Sequence, residues 1–133
     1  MFRYAGEDAP GEMPRYELGE LPEGFVENLE SQFVGTGMTA HFYENEKGDV
    51  ILFEYIYMQQ GSLSGASTEN AYVVSVSINR CEGLLVIPKE ENSNSMLMWF
   101  DPEHNLQFTL DAPLGQEDIL HMAESVYLVE TTK

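Results

Sequence analysis

The three histidines and the single cysteine are four side chains in this sequence that could act as a base, a nucleophile or a metal ligand. Three are histidines, on a predicted strand, a predicted turn and a predicted helix: His41, His104 and His121. The fourth is Cys81, beside Arg80, whose charge could lower the pKa of the thiol. No histidine lies close to Cys81 in the sequence to serve as its base, so an inert thiol is the simpler interpretation. We therefore predict no catalytic residue.

One pair of side chains has the spacing of metal ligands on a helix. Glu117 and His121 are four residues apart, so they share one face of the predicted helix. A solvated face with an ordinary contact between neighbouring turns explains the pair more simply. A single cysteine also excludes an internal disulfide and a zinc site built from several cysteines. We predict no metal site from these residues.

A second metal pattern occurs in the turn after residue 100. Asp101, Glu103 and Asn105 occupy the first, third and fifth positions of a calcium-binding loop. Leu106 stands where that loop needs glycine, and Ala112 stands where it needs a bidentate glutamate. A hairpin turn is therefore the favoured interpretation.

Residues 35–40, Gly-Thr-Gly-Met-Thr-Ala, match the spacing of a dinucleotide-binding fingerprint. That fingerprint binds pyrophosphate only where it joins a strand to a helix. The residues that follow alternate like a strand and reach a turn by Asn45. We interpret the two glycines as a bend before a strand, and we predict no cofactor.

Residues 61–65, Gly-Ser-Leu-Ser-Gly, resemble the nucleophile elbow of a hydrolase. Leu63 occupies the position that the nucleophilic serine must have, so the pattern fails. The glycine and serine content of residues 61–70 predicts a mobile loop.

Aromatic side chains are frequent on the predicted strands. Five of them are predicted as a face for a ligand or partner: Tyr55, Tyr57, Tyr72, Trp99 and Phe108. Aromatic residues on a curved sheet can line a groove for an apolar ligand or a peptide. The same residues, with Tyr43, can form the core beneath a helix, where Trp and Phe usually bury their area. The sequence leaves both interpretations open.

The charge of the chain restricts its partners. It has 133 residues, of which 23 are Asp or Glu and 6 are Lys or Arg, so the net charge is −17. Proteins bind nucleic acids and anionic lipid surfaces through clustered positive charge. Six basic residues among 23 acidic ones do not supply such a cluster. The acidic residues are spread along the chain, as expected of a solubilising surface. We predict no nucleic-acid partner.

Length and composition indicate one domain. A chain of 133 residues with 43% hydrophobic residues can bury one ordinary core. Residues 1–15 contain several glycines and acids and are predicted to be a flexible lead-in, whereas residues 16–130 are predicted to be a single α+β domain. No stretch approaches the roughly 20 apolar residues of a membrane helix, and the first ten residues lack the apolar core of a secretion signal.

Strands are predicted from alternating side chains. Residues 38–42 and 50–58 flank a turn at 45–49, and residues 96–100 and 106–110 flank another at 101–105. The run 50–58 is apolar on both faces, which places it centrally with something covering each side. Further strands are predicted at residues 71–78, with Ser75 and Ser77 on a wet face, and at 84–87, after a turn at 79–83.

The last element is predicted to be a helix. Two acids lie in its first turn, where the helix dipole favours them, and its apolar stripe consists of Ile119, Met122, Ala123 and Val126. The fold class is therefore α+β, a curved and largely antiparallel sheet of about six or seven strands with this helix packed on one face. Residues 25–33 have apolar side chains every fourth residue, which fits a helix or a strand.

Four segments carry a further signal. They are Tyr-Glu-Leu-Gly-Glu-Leu-Pro-Glu-Gly-Phe at 16–25, the hairpin around Gly48, Leu-Met-Trp at 97–99 followed by Leu-Gln-Phe-Thr-Leu at 106–110, and Gln-Glu-Asp-Ile-Leu-His-Met-Ala-Glu-Ser-Val at 116–126. In this order they resemble the domain-of-unknown-function family 4367. The resemblance covers residues 16–128. It implies a turn at Pro22 and Gly24, a core anchor at Trp99, and a small residue at Ala123 where the helix approaches the sheet. It implies no catalytic residue.

The same resemblance implies a bacterial domain at the extracytoplasmic face of a membrane, behind a single membrane helix and sometimes behind an anti-sigma-type part. The expected anchor would precede Met1. The leading hypothesis is a non-enzymatic interaction or sensor module whose partner is a protein or a cell-envelope component. A carrier of a hydrophobic ligand on the aromatic face, and a hydrolase that uses acidic residues or a metal, are the alternatives. Oligomeric state is not predicted.

Overall fold

The computed structural model describes residues 14–58, 71–90 and 94–129. Within these ranges the chain forms ten strands, one α-helix and one turn of 3-10 helix. The strands are β1 (Tyr16–Glu17), β2 (Val26–Glu27), β3 (Phe33–Val34), β4 (Met38–Glu44), β5 (Val50–Tyr57), β6 (Ala71–Ile78), β7 (Cys81–Pro88), β8 (Ser95–Asp101), β9 (Leu106–Ala112) and β10 (Tyr127–Leu128). The helix α1 comprises Gln116–Glu124, and the 3-10 turn comprises Leu29–Ser31.

Eight of these strands form one antiparallel sheet. Its order is β2-β4-β5-β9-β8-β7-β6, and β3 also pairs with β4. β1 and β10 form a separate two-stranded sheet. The predicted α+β architecture, a mostly antiparallel sheet with a single C-terminal helix in one domain, is confirmed. The sheet has eight strands instead of six or seven because the short strands β2 and β3 add to its first edge.

The first predicted hairpin is confirmed as β4 and β5. Their register runs from Met38 opposite Ile56 to Glu44 opposite Val50. The turn is fixed by Asn45, whose side-chain Oδ1 accepts hydrogen bonds from the backbone N–H of Lys47 at 3.0 Å and of Asp49 at 2.9 Å. An Asx side chain that bonds residues further along the chain stabilises a turn between two strands.

The turn between β6 and β7 is shorter than the predicted turn at residues 79–83. Only Asn79 and Arg80 lie between the strands, with φ of 49° and 75°. Positive φ at both central residues gives a two-residue turn whose twist matches that of the flanking strands. Cys81 therefore begins β7, and the pairing extends without a break from Ile78 opposite Cys81 to Ala71 opposite Pro88.

The core lies on one face of the sheet, which we call the inner face. Residues opposite each other in an antiparallel ladder share a face, so one row runs across four strands through Tyr55, Phe108, Trp99 and Gly83. A Cβ added at Gly83 would lie 2.6 Å from the Met98 carbonyl oxygen and 3.0 Å from Trp99 Cβ. Glycine is therefore needed where the tryptophan packs against β7.

Helix α1 covers this face. Ile119, Met122 and Ala123 are buried and belong to the same cluster as the aromatic row, as the predicted apolar stripe requires. Val126 follows the end of the helix and packs against the cluster while half-buried. Nothing in the described ranges forms a helix long and apolar enough to cross a membrane.

Residues 25–33 form neither one helix nor one strand. β2 and β3 pair with β4 at Val26 opposite Glu44 and at Phe33 opposite Ala40. Between them, Asn28 begins the 3-10 turn by accepting a hydrogen bond from the backbone N–H of Glu30 at 3.1 Å. The spacing of apolar side chains by four residues therefore reflects neither a single helix nor a single strand, but two short strands separated by a short turn.

Two predictions lie partly or wholly outside the described residues. They are the flexible lead-in at 1–15, of which only Pro14 and Arg15 are described, and the mobile loop at 61–70.

Candidate functional site

Strand β6 lies at one end of the main sheet. All eight of its residues pair with β7, from Ala71 opposite Pro88 to Ile78 opposite Cys81. Within the described residues no strand pairs with its other side. In an antiparallel strand the backbone groups of alternate residues point to opposite sides, so half of those on β6 point away from β7. Such an edge is a template for a further strand.

Both faces of β6 are accessible near its start. Tyr72 is 60% exposed, Val73 is 45% exposed and Val74 is 40% exposed, although Val73 points to the opposite face from the other two. The strand is fixed at its other end, where Ile78 is fully buried and Asn79 Nδ2 donates a hydrogen bond to the Glu124 carbonyl oxygen at 3.3 Å. β6 is therefore anchored by α1 at one end and solvated at the other.

The hairpin of β6 and β7 is electrically neutral in an acidic protein. Residues 71–90 contain two basic and two acidic side chains, Arg80, Lys89, Glu82 and Glu90, so the remaining residues hold the whole net charge of −17. β6 itself has no charged residue and no proline or glycine. Lys89 Nζ lies 5.1 Å from the centre of the Tyr72 ring, within the range of a cation–π contact.

The five aromatic residues predicted as a ligand or partner face occupy different environments. Tyr55, Trp99 and Phe108 are buried in the core, at 0%, 4% and 3% exposure. Tyr57 is half-buried against the same cluster, whereas Tyr72 is exposed on β6. Their role toward a ligand or partner stays a prediction, and Tyr72 is the member that solvent reaches most.

The buried aromatic rings contact one another closely. The Phe108 ring stacks on Trp99, with centroids 5.1 Å apart, and meets Tyr16 edge-on at 4.9 Å. The hydroxyl oxygen of Tyr55 accepts a hydrogen bond from the backbone N–H of Tyr16 at 3.0 Å, which joins the short β1 to the sheet. Burial raises the pKa of Tyr55. This cluster has the geometry of a packed core under β1 and α1.

His41 is buried beneath the β2 edge of the sheet. Its Nδ1 lies 2.7 Å from Glu27 Oε2, and Gln32 Nε2 donates to the same oxygen at 3.3 Å. A carboxylate accepts hydrogen bonds, so Nδ1 carries the ring proton in this contact. Nε2 of His41 is buried, and no described residue forms a hydrogen bond with it. The pKa of Tyr43, which lies beside His41, is raised above its ordinary value. Burial is the main cause, and the charge of Glu27 is the next.

The predicted turn at 101–105 brings together a different set from the calcium-loop pattern. Ligand atoms of Asp101, Glu103 and His104 lie within 4.8 Å of one another. Asp101 Oδ1 accepts hydrogen bonds from the backbone N–H of Glu103 and of His104. Asn105 instead donates from Nδ2 to the Met58 carbonyl oxygen at 3.3 Å. These contacts form the hairpin turn that the sequence favoured. The sequence signal for the pair of Asp101 and His104 was their spacing of three residues.

We expect His104 to titrate at a pKa above its ordinary value. The cause is the hydrogen bond from His104 Nδ1 to Asp101 Oδ2 at 2.8 Å, with the Glu103 charge adding to it. Because the folded pKa is raised, any stabilisation is present below the unfolded pKa and is lost as pH rises through the folded value. NMR titration of the ring protons measures it, and Asp101→Asn should lower the pKa. An unchanged titration in that variant would contradict the assignment.

His121 pairs with a residue distant in sequence. Its Nε2 lies 2.6 Å from Glu20 Oε1, so the partner is not the Glu117 that the spacing suggested. The pair borders a cavity of about 220 Å³ between α1 and the N-terminal loop, whose apolar lining includes Leu21 and Met122. Ligand pockets usually measure about 300–1,000 Å³, so this cavity fits a side chain or a small group.

Cys81 is half-buried at the start of β7. Burial raises the pKa of its thiol, and the charges of Asp101 and Glu103 raise it further. The pKa of the thiol is therefore raised, not lowered as the neighbouring Arg80 could have made it, which agrees with the inert thiol that the sequence favoured. A thiol with a raised pKa is a poor nucleophile at neutral pH.

A row of side chains crosses the face of the sheet opposite the core, which we call the outer face. It passes through Leu84, Met98, Thr109, Glu54 and Ala40, each opposite the next in the ladder. None of the five belongs to the core cluster. Burial raises the pKa of Glu54, the one acidic member of the row. Along this row the outer face thus combines three apolar side chains with the Thr109 hydroxyl and one partly desolvated carboxyl group.

The fold and these sites define a class of protein first: a single α+β domain with a mostly antiparallel sheet and a C-terminal helix. The particular family follows from the sequence, since residues 15–126 match the model of the family described as "Domain of unknown function (DUF4367)". The chain belongs to that family. Neither the search of curated proteins nor that of solved structures found a match.

Proposed function

We propose that this domain is a non-enzymatic interaction or sensor module of a bacterial membrane-anchored protein, and that it contacts a protein or cell-envelope component through β6. The observation that carries the proposal is the edge itself. β6 is eight residues long, uncharged and exposed at Tyr72 and Val74, in a chain of net charge −17. Natural sheets usually protect such an edge with charge, proline or a covering element. Within the described residues β6 has none of these protections, and such an edge is suited to pairing.

The state of the reactive side chains supports a non-enzymatic function. Each of the three histidines lies 2.6 to 2.8 Å from a carboxylate oxygen, and the cysteine has a raised pKa. His41 is 1% exposed, so a substrate in solution does not reach it in this conformation. Catalysis needs a nucleophile and a base within hydrogen-bond reach of a substrate.

The extracytoplasmic location is part of the same proposal and is supported by the family. The sequence resemblance to that family implies a domain beyond a single membrane helix. A module held near a membrane needs no catalytic centre to transmit a signal. When its partner is also tethered, the effective concentration of the two is high, and the contact at the module's edge is itself the signal. The acidic surface suits a domain that stays in solution above anionic lipid.

A carrier of a hydrophobic ligand is the second candidate. The predicted aromatic face has Tyr55, Trp99 and Phe108 buried in the core, so the outer face is the surface considered for this function. Leu84 and Met98 lie in one row with two polar residues, Thr109 and Glu54, and within this row Met98 and Thr109 are buried. Ligand sites are commonly apolar with a few placed polar groups. Native mass spectrometry after incubation with phospholipid vesicles would detect a bound lipid, and protein without added mass in repeated trials would count against this function.

Cross-linking in cells tests the leading proposal. We expect the full-length protein with Tyr72→p-benzoylphenylalanine to give discrete adducts under ultraviolet light, because the ring stands on the accessible edge. The matched control is Phe33→p-benzoylphenylalanine, since Phe33 is 51% exposed at the opposite edge. Equal labelling at both positions, or none at position 72, would argue against a specific contact at β6.

Protease added outside spheroplasts tests the proposed location. It should degrade the domain, and protection of the domain from the protease would overturn the extracytoplasmic location.

A further inference from the structure

We infer that the partner at β6 is a second copy of this chain, paired antiparallel across a two-fold axis. The inference rests on the proposed function, because it names the occupant of the same edge. β6 is suited to strand addition because it is long, regular and anchored. Within the described ranges, its edge away from β7 is unpaired. Its eight residues include five that are β-branched or aromatic, the types most favoured in strands.

The electrostatics of the hairpin favour a copy over a charged partner. A basic peptide would gain most where acidic residues cluster, yet residues 71–90 are neutral. Two neutral hairpins can approach without like charges in direct contact, and the charge of each chain lies elsewhere. A cyclic dimer is also the commonest symmetry of soluble oligomers, and it needs one self-complementary patch.

The side chains of β6 are self-complementary under that symmetry. An axis perpendicular to the sheet keeps each face continuous, so residues that share a face meet across the interface. Centred on Val74, the axis sets Val74 beside its own equivalent and Tyr72 beside Val76 of the other copy. On the opposite face, Val73 meets Ser75. Aromatic and β-branched pairs of this kind are among the stabilising cross-strand pairs.

The ordering cost of pairing is low because β6 is already a fixed strand. Its inner neighbour β7 holds all eight residues in register, and α1 holds the Ile78 end. Preformed strands lose little conformational freedom on association. Association is opposed by electrostatic repulsion between two chains that each have a net charge of −17. This repulsion acts mainly at long range.

Salt should therefore strengthen the dimer. The Debye length falls from about 14 Å at 50 mM salt to about 4 Å at 500 mM, so added salt screens the repulsion while the backbone hydrogen bonds and apolar contacts at β6 remain. We expect the dissociation constant to fall several-fold over this range. An interface held by ion pairs would respond in the opposite direction.

Sedimentation equilibrium of the protein at both salt concentrations tests the inference. Val74→Lys should raise the dissociation constant at least tenfold, because two ammonium groups would meet near the axis. Val50→Lys is the matched control, since Val50 is also 40% exposed but lies on β5. Circular dichroism and the melting temperature establish that both variants fold. We expect wild type and Val50→Lys to dimerise alike and Val74→Lys to be monomeric.

Three results would overturn the inference: a wild-type monomer at both salt concentrations, a dimer that weakens with salt, or equal loss in the two lysine variants. The cross-linking at position 72 separates this failure from that of the proposed function. An adduct with the mass of two copies supports the dimer. An adduct with another protein overturns the dimer and leaves the interaction function standing, whereas no adduct overturns both.

Discussion

Phe108→Ala is expected to lower the free energy of unfolding by about 3–5 kcal/mol, the usual cost of removing a buried phenylalanine ring. Phe108 is 3% exposed, and its ring touches a ring from each neighbouring strand. The centroids of Trp99, Tyr16 and Tyr55 lie 5.1, 4.9 and 5.7 Å from it. The cavity left by alanine would remove contacts to all three, and the antiparallel strands around it have limited freedom to collapse.

Urea denaturation followed by tryptophan fluorescence measures this effect. Trp99 is the one tryptophan in the chain and stacks on Phe108, so its emission reports the same cluster. Tyr72→Ala is the matched control, because Tyr72 is an aromatic residue of the same predicted set but is 60% exposed. Both variants are measured at a protein concentration at which the β6 dimer is dissociated, so that loss of the interface does not contribute. Substitutions at such surface positions usually change stability by less than about 0.5 kcal/mol.

The contrast between the two variants decides between the interpretations of the aromatic residues. A ligand-lining ring in a solvated groove can be truncated at small cost to stability, whereas a core ring cannot. A loss under about 1 kcal/mol for Phe108→Ala, with an unchanged dependence on urea, would contradict the core role. A large loss for Tyr72→Ala would show that the β6 edge is part of the folding unit instead of a free surface.

Local patterns predicted the elements whose contacts are local. The hairpins β4–β5 and β8–β9 were predicted because alternating side chains flank turns rich in Asn, Asp, Gly and Pro. Helix α1 was predicted from the spacing of Ile119, Met122 and Ala123. In each case the residues that determine the element lie within about one turn or one strand of each other.

Elements that depend on distant partners could not be predicted. Tyr16 of β1 pairs with Leu128 of β10, and each strand has only two residues, too few for a periodic signal. The sequence did show that Ser75 and Ser77 face solvent. It did not show that β6 ends the sheet, because strand order depends on which hairpins pair: β5 lies beside β9, so the β6–β7 hairpin is left at the edge.

The candidate sites have the same limitation. Glu20 is the partner of His121 although 100 residues separate them, and a chain with 23 acids offers too many partners for composition to choose among. The neutrality of residues 71–90 was readable from the sequence, but it gained meaning only when that hairpin was placed at an edge. Fold class therefore followed from pattern, whereas the sites required the arrangement of the strands.

His41→Ala is expected to lower the free energy of unfolding by about 2–4 kcal/mol, from a lost buried ring and a lost hydrogen bond to a charged group. The His41 ring is nearly parallel to that of Phe53, at 16°, with centroids 5.9 Å apart. Its hydrogen bond to Glu27 ties β2 to β4, where β2 has only two residues in the ladder. Urea denaturation measures the total loss.

His41→Phe separates packing from polarity. A phenyl ring keeps the stacking on Phe53 and removes both ring nitrogens, including Nε2, which is buried without a hydrogen-bond partner among the described residues. An unsatisfied buried group costs about 1–3 kcal/mol, so its removal offsets much of the lost hydrogen bond to Glu27. Glu27 keeps a donor in Gln32 and is 23% exposed, so water can satisfy its other lone pairs.

We therefore expect His41→Phe to lose less than half as much stability as His41→Ala. The matched control is Glu27→Ala in the wild-type background, which leaves the Nδ1 proton without its acceptor while the ring stays in place. If the phenylalanine variant were as unstable as the alanine variant, the hydrogen bond to Glu27 would be the main contribution of His41. In that case Glu27→Ala should be equally damaging, because the same interaction is broken from its other end.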